Sequence, residues 1–287
     1  MPHNEIDPAN EPALRAQRVM RGIVLAGMMF WSLVPAEDAL VIDPDVHAYP
    51  ERGFGLRLPR AVRHNSLLFA IDHRVLTSFL DDPFHSYFGF DNGVKVSLGL
   101  RYGLFGILDF GIIRTADELD PFDTYEFDVR FIVLTEDRFY VDASVAAGVD
   151  WFVQQDRDDA SGFFGIAMIG RSLLERLYLS TGMIAHSNST YTGKFASDAD
   201  HSVALPVIAN VRITNTFSLT GEFLQPLAGF ATEYPYYGFG VKIATYRHTF
   251  ALLASTSKYI ATDGIVAGGA DPAKPAIAFS ITRTWNF

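Results

Sequence analysis

The stretch that decides the fold is TYEFDVRFIVL, residues 124–134, together with the run that follows it, RFYVDASVAAGVDWF, residues 138–152. Apolar side chains such as Phe127 and Val129 occupy alternate positions, and charged or small residues lie between them. Because successive strand side chains point to opposite faces, each run is predicted to be a strand with one apolar and one polar face. Only the residues TED separate the two runs, which predicts a hairpin.

The length of these runs favours strands that cross a membrane. Both exceed the average strand of about 5–6 residues and reach the length of about 9–11 residues that a spanning strand needs. Aromatic residues near the ends of runs resemble interfacial girdles: Tyr125, Trp151, Tyr178, Tyr237 and Trp285. The alternative is a soluble lipocalin-like barrel that binds a ligand, but such barrels normally have eight strands and an apolar interior.

The same alternation recurs along the chain and predicts a closed antiparallel transmembrane β-barrel of about twelve strands, over residues 66–287. The predicted strands are 66–77, 93–102, 105–115, 123–134, 138–151, 162–172, 176–187, 202–213, 216–227, 237–246, 249–259 and 276–287. Short and long connections alternate between them, and the last long one covers residues 260–275. This asymmetry is typical of outer-membrane barrels, which have short periplasmic turns and longer extracellular loops.

The chain ends in ITRTWNF, inside an apolar alternating pattern. We expect this last strand to pair with the first, so that no edge stays open. The ending is similar to the C-terminal insertion signal of bacterial outer-membrane barrels, with Ser280 as its polar position and Trp285 and Phe287 as its aromatic ones. Thr282 stands where a glycine is common. The resemblance implies the barrel assembly machinery and outer-membrane lipid as partners.

More of the chain resembles a bacterial family of outer-membrane β-barrels defined only as a domain of unknown function. The similar stretches are FAIDHRV, YFGFDNGVKVSLGLRYGL, ATYRHTF and the terminal ITRTWNF, and the likeness spans residues 66–287. The resemblance implies the fold and the outer-membrane location. It brings no substrate, no cofactor and no catalytic residue.

Residues 1–36 have the features of a secretory signal peptide. Arginines precede the apolar run GIVLAGMMFWSLVPA, which ends in small residues suited to cleavage. Met20 is a candidate for the true start. Residues 37–65 contain three prolines, which argue against a long helix or a central strand. We expect this segment either to form a periplasmic arm or to fold into the barrel lumen.

Composition excludes several classes of function. The net charge is −10, and no basic stripe is present to neutralise phosphates, so nucleic acid is not an expected partner. The chain has no cysteine, which excludes disulfides, thiolate metal sites and cysteine nucleophiles. No glycine-rich phosphate loop and no G-x-S-x-G elbow occur. We therefore expect no cofactor and no enzymatic activity.

Charged residues alternate with apolar ones on the predicted inward faces of most strands. The lumen-lining candidates are Arg74, Lys95, Arg101, Asp109, Glu126, Asp128, Arg130, Asp142, Asp150, Arg171, Arg212, Glu222 and Lys242. A twelve-stranded barrel lies between the filled eight-stranded and the open sixteen-stranded size. The charges therefore fit either a narrow channel for a small polar solute or a packed network of ion pairs in a structural barrel.

An alternative function is hydrolysis of outer-leaflet lipid at AHSNST, residues 185–190. The stretch resembles the His-x-Ser-Asn element of outer-membrane lipid hydrolases, in which a histidine activates a serine two residues away on the same strand face. Here Ser187 directly follows His186 and points to the opposite face, and Ser189 is reached only through a bend. The spacing argues against catalysis.

The expectation for metals is that none is bound. The acidic loop QDRDDASG offers Asp156, Asp158 and Asp159 as candidate ligands for calcium, but their spacing matches no recognised calcium loop. The histidines are scattered, without the spacing of a zinc site.

Overall fold

The computed structural model describes residues 52–81, 84, 93–116, 122–154, 159–174, 176–187 and 200–287, and residues 1–36 of the predicted signal peptide lie outside that range. Twelve strands form one closed antiparallel barrel. They are β1 Ser66–Val75, β2 Val94–Leu104, β3 Leu108–Ala116, β4 Phe122–Leu134, β5 Asp142–Gln154, β6 Ala160–Leu173, β7 Leu177–Ser187, β8 His201–Arg212, β9 Phe217–Gly229, β10 Tyr236–Thr245, β11 His248–Ser255 and β12 Ala276–Asn286. The predicted fold is confirmed.

The barrel closes where the terminal stretch predicted it. β12 pairs antiparallel with β1, from Ser66 opposite Asn286 to Arg74 opposite Ala278. Beyond the ladder, the backbone N–H of Phe287 donates to the Asn65 carbonyl at 3.0 Å, and Asn65 Nδ2 donates to the Phe287 carbonyl at 2.8 Å. Every strand therefore has two neighbours, and the sheet has no open edge.

Side chains alternate between an apolar exposed face and a buried face along most strands. On β6, Phe163 and Ile169 are exposed, whereas Phe164 and Met168 between them are buried. On β4, the exposed residues are aromatic or branched, and the buried ones include the charged residues Glu126, Asp128 and Arg130. The outer surface is therefore the apolar belt of a membrane barrel, and the buried residues face the interior.

Connections at one end are short, and the one between β4 and β5 differs most from prediction. The predicted hairpin through TED is longer, because residues 136–139 form one helical turn, α1 Glu136–Phe139, and β5 begins at Asp142 instead of residue 138. Tyr140 ends that turn in the left-handed conformation, with φ 62°. At the other end of the barrel, β11 ends at Ser255, earlier than predicted, so the β11–β12 connection is longer than expected.

Residues 260–269 of the connection between β11 and β12 lie mostly buried, which corrects the prediction that all of residues 260–275 form an external loop. The connection contains the helical turn α2 Thr262–Ile265, and Ile265 and Val266 are buried in the interior. Apolar residues in this connection account for the difference, since burying them in the lumen removes them from water. Neither helical turn in the described part of the chain is long and apolar enough to cross a membrane.

Residues 52–62, from the segment expected to be either a periplasmic arm or a lumen segment, also lie inside the barrel, whereas Arg63 and His64 are exposed; residues 37–51 lie outside the described range. Leu58 and Val62 are fully buried. The backbone passes so close to β2 that a side chain on Gly103 would collide with the carbonyl oxygens of Val62 and Arg63. Arg52 pairs with Arg57 in an antiparallel bridge, so the start of the segment forms a narrow hairpin within the lumen.

Apolar side chains from the wall, the segment and the β11–β12 connection pack together as one core inside the barrel. The cluster contains Leu56, Leu58, Ala146, Phe164, Ile166, Met168, Tyr178, Ile184, Ala204, Ile208, Leu224, Tyr236, Ile265 and Val266. Most of its wall residues belong to β5–β9, so this side of the interior is apolar. The charged residues of β1–β4 occupy the other side.

Candidate functional site

The charged side of the lumen is a network of ion pairs between neighbouring strands. Arg101 on β2 bonds the Asp128 carboxylate on β4 at 2.6 and 2.9 Å and also contacts Asp109 on β3. Arg130 Nη2 donates to Asp109 Oδ2 at 2.6 Å. Gly111 lies beneath this network, and a Cβ there would come within 2.8 Å of Asp128 Oδ1. The absence of a side chain at this position lets the guanidinium and carboxylate lie flat against the sheet.

The segment 52–65 supplies further cations to this wall. It contains four arginines and no acidic residue. Arg57 Nη1 lies 2.6 Å from Asp128 Oδ2, and Arg57 also pairs with Glu126. Burial alone would lower the pKa of Arg57, but the carboxylates of Asp128 and Glu126 outweigh burial and raise that pKa above its ordinary value. Arg57 is therefore charged inside the lumen.

Glu126 joins the two segments that fill the lumen. Its carboxylate pairs with Arg57 of the segment, and Glu126 Oε2 accepts the backbone N–H of Thr262, at the start of α2, at 2.7 Å. The Glu126 side chain is almost fully buried, at 1% exposure. One carboxylate on the β4 wall thus holds both the N-terminal segment and the β11–β12 connection.

Glu222 on β9 binds the backbone of the hairpin. Its carboxylate accepts the N–H groups of Phe54, Gly55 and Leu56 at 2.6, 3.1 and 3.2 Å. The Tyr236 hydroxyl donates to Glu222 Oε2 at 2.6 Å. Donors from four groups converge on one carboxylate, which orients the tip of the hairpin.

Lys242 and Asp72 hold the other end of the hairpin. Lys242 Nζ donates to the carbonyl oxygens of Arg52 and Gly53, both at 3.0 Å. Arg52 Nη2 donates to Asp72 Oδ1 at 2.6 Å, and Ser97 Oγ donates to Asp72 Oδ2 at 3.2 Å. Since β4 binds Arg57 and lies across the ring from β10, the contacts of Arg57 and Lys242 together fix the segment to opposite sides of the barrel.

Arg60 fixes the segment near the end of the barrel that carries the short turns. Arg60 Nε donates to Asp142 Oδ2 at 2.7 Å, and Arg60 Nη2 donates to Glu136 Oε2 of α1 at 3.1 Å. The guanidinium also lies 4.1 Å from the ring centroid of Tyr178, whose hydroxyl donates to Asp142 at 2.9 Å. Tyr178 is thus buried in the lumen and is not a girdle residue, contrary to prediction.

The structure brings most of the predicted lumen-lining residues into the interior. Eleven are buried: Arg74, Lys95, Asp109, Glu126, Asp128, Arg130, Asp142, Asp150, Arg212, Glu222 and Lys242. Arg101 is half-buried within the network. Arg171 is exposed on the outer face of β6, which corrects its predicted inward orientation. The reason is that β6 carries apolar or small residues on both faces, so its pattern does not identify the inward one.

Sequence reasoning missed Asp72 and the arginines of the segment 52–65 as members of the site. Asp72 alternates with apolar residues on β1, and this inward parity was a signal for it. For Arg52, Arg57 and Arg60, the signal was an acid-free basic segment directly before a wall that contains buried acids.

His186 points inward, as its parity predicted, and lies 2.8 Å from Asp150, with both side chains fully buried. Ser187 lies on the opposite, exposed face, where its Oγ accepts the N–H of Phe163 at 2.8 Å. Histidine and serine therefore do not form a nucleophile–base pair. Asn188 and Ser189 lie outside the described residues, so the expectation that the chain is not an enzyme stays a prediction.

The acidic loop considered for calcium lies mostly outside the described residues, including Asp156 and Asp158. Asp159 accepts the indole N–H of Trp151 at 3.1 Å. Within the described part of the chain, no group of three or more histidine or acidic side chains is arranged to hold a metal ion.

The sequence of residues 60–285 matches the family described as "Membrane bound beta barrel domain (DUF5777)", and the chain belongs to this family. The protein is therefore a membrane-bound β-barrel. An even number of antiparallel strands with short turns at one end is the architecture of outer-membrane barrels. The predicted resemblance to an outer-membrane family of unknown function is confirmed.

The chain is also similar, at low sequence identity, to solved structures of outer-membrane proteins. The COG4313 outer membrane channel from Pseudomonas putida F1 has 13% identity and a TM-score of 0.44, over 79% of this chain and 97% of that one. Omp33 of Acinetobacter baumannii has 7% identity and a TM-score of 0.43, over 78% and 98%. LpxR from Salmonella typhimurium has 9% identity and a TM-score of 0.37, over 77% and 100%. No curated protein matches the sequence.

Proposed function

We propose that this protein is an outer-membrane channel for small polar solutes, closed from within by the segment 52–65. The observation that carries the proposal is the chemistry of the closure: the segment is cationic, and buried wall acids bind it. Glu126 and Asp128 pair with Arg57, and Asp142 pairs with Arg60. Ion pairs of this kind can exchange their partners for water and ions, and they lie beside the apolar packing of Leu56 and Leu58 against the wall.

The closure has a second part, which comes from the end of the barrel that carries the long connections. The β11–β12 connection enters the lumen and meets the segment where Gly55 lies beside Ile265. Glu126 holds both parts. Opening of the lumen therefore requires the segment 52–65 to separate from the wall acids that bind it. It also requires the β11–β12 connection to separate from Glu126.

Planar bilayers containing the purified full chain test this function. We expect the native protein to conduct rarely, and a variant with Arg57→Gln and Arg60→Gln to show frequent, small, discrete conductance steps. Arg114→Gln is the matched control, since Arg114 pairs with Asp123 on the exposed face of the barrel. A double variant that keeps its heat-dependent gel shift and remains silent would contradict the channel and leave a structural barrel.

The location belongs to the same proposal. We infer that residues 1–36 are removed during export, that the barrel assembly machinery inserts the chain, and that the protein lies in the outer membrane. Fractionation should recover it with outer-membrane lipid, with the mature chain beginning after Ala36. The folded barrel should also run faster on gels unheated than boiled. Recovery as a soluble monomer would contradict the proposal and favour a lipocalin-like barrel.

A further inference from the structure

Two arginines lie at the short-turn end of the barrel, around the β10–β11 turn and the end of β12. Arg283 is exposed on the outer face of β12. Phe250 on the neighbouring strand and Ile281 on the same strand expose apolar side chains on that face. A cation that faces lipid is costly unless it reaches the polar headgroups. Its position only three residues before the end of β12 places it near that boundary.

Backbone geometry fixes Arg247 beside this strand. Arg247 lies in the tight turn after β10, with φ 63°, and its carbonyl accepts the N–H of Thr284 at 2.9 Å. Its guanidinium lies 4.8 Å from the ring centroid of Tyr246. Arg247 Nε is buried and has no hydrogen-bond partner among the described residues. The turn therefore holds a guanidinium whose donors are not all used.

Arg283 is positioned by its neighbours but is not neutralised by them. Its guanidinium lies 5.3 Å from the ring centroid of Trp285, and Nη1 lies 3.1 Å from His248 Nε2. The other ring nitrogen, His248 Nδ1, lies 3.2 Å from the Tyr246 carbonyl, which only accepts. This assigns the proton to Nδ1, so Nε2 accepts from Arg283.

The positive charges of Arg247 and Arg283 have no protein counter-ion in the described part of the chain. No carboxylate there forms an ion pair with Arg247 or Arg283. Arg114, an exposed arginine elsewhere on the barrel, does have one, in Asp123 at 2.6 Å. Guanidinium groups bind phosphate through planar, charge-assisted hydrogen bonds, and the aromatic rings fix the depth in the membrane interface.

We propose that Arg247, Arg283, Tyr246 and Trp285 form a binding site for the phosphate of an anionic phospholipid, in the leaflet at the short-turn end of the barrel. A lipid is favoured over free phosphate because the site borders the exposed apolar belt, where Phe250 and Ile281 would contact acyl chains. The site also accounts for an arginine on the lipid-facing parity of the closing strand.

Native mass spectrometry of the full chain tests this site, with phosphatidylglycerol and phosphatidylcholine as probes. We expect retained phosphatidylglycerol to fall about tenfold in a variant with Arg247→Gln and Arg283→Gln, because charge-assisted contacts to the phosphate are lost. Phosphatidylcholine should be retained weakly by both proteins. Unheated gel mobility verifies that the variant is folded.

Arg171→Gln is the matched control, since Arg171 is exposed on the outer face of β6 near the same end of the barrel. We expect this variant to retain phosphatidylglycerol as the native protein does. An equal loss in Arg171→Gln would overturn the site and indicate a diffuse charge effect. Full displacement of the lipid by inorganic phosphate would overturn the choice of a lipid over a free anion.

Discussion

Replacing Glu126 by glutamine should loosen both parts of the lumen closure at once. The substitution keeps an acceptor for the Thr262 N–H, which Glu126 Oε2 binds at 2.7 Å, but removes the charge that pairs with Arg57. Arg57 retains Asp128 at 2.6 Å, so the loss is smaller than the roughly 3–5 kcal/mol of a buried charge left without any partner. We expect the closure to lose about 1–3 kcal/mol of stability, the range for weakening a charge-assisted buried contact.

The absence of native cysteine allows a direct assay of this prediction. Single cysteines at Leu58 in the segment and Val266 in the connection replace side chains that are fully buried. If the closure opens in a local equilibrium, the loss of closure stability raises the open population. Maleimide labelling should then be about 5- to 150-fold faster at both sites. Asp123→Asn is the control on the same strand, because its pair with Arg114 is exposed and contributes about 0–1 kcal/mol.

Labelling at the two sites distinguishes two ways in which this prediction can be wrong. Acceleration at Leu58→Cys alone would show that the segment and the connection open independently, which contradicts the joint role of Glu126. Unchanged labelling at both sites would refute the argument that this carboxylate holds the closure.

Three further outcomes follow from the contacts in the barrel. Gly111→Val should lower the temperature at which the unheated gel band is lost, because the new side chain collides with Arg101 and Asp128; an unchanged temperature would contradict the packing. Glu222→Gln should speed proteolysis between residues 52 and 60, since charge-assisted bonds are about twice as strong as neutral ones, and native resistance would argue against this anchor. Deleting Phe287 should reduce assembled barrel in the membrane, whereas Phe287→Tyr should not, and equal yields would count against the terminal signal.

The sequence predicted the barrel well because its physical cause is local. Lipid on one side and a polar lumen on the other impose a two-residue period, and that period can be read directly on β4 and β5. The same rule identified eleven buried charges. It was wrong for Arg171, because β6 carries apolar or small residues on both faces and its pattern does not identify the inward one.

Placement of the segments inside the lumen depends on contacts between residues far apart in the chain. Nothing in the prolines of residues 37–65 distinguishes a periplasmic arm from a lumen segment, and the choice depends on acids such as Glu222 that lie more than 150 residues later. The β11–β12 connection has a local signal that was overlooked. Ile260, Ile265 and Val266 are apolar residues in what was expected to be a solvated loop, and all three are buried.

The charges of the lumen fit both a channel and a packed network, because the acids that bind the closing segment would line the lumen once the segment left. In the closed state, Glu126, Asp128, Asp142 and Glu222 are all bound by the segment 52–65. If the segment leaves, these carboxylates lose their partners, and the wall left behind attracts cations from solution. We therefore expect the open state of the Arg57→Gln, Arg60→Gln variant to be cation-selective. Reversal potentials in a salt gradient measure this property. Anion selectivity would mean that the wall arginines, not these acids, dominate the open lumen, and that the segment does not neutralise an acidic pathway.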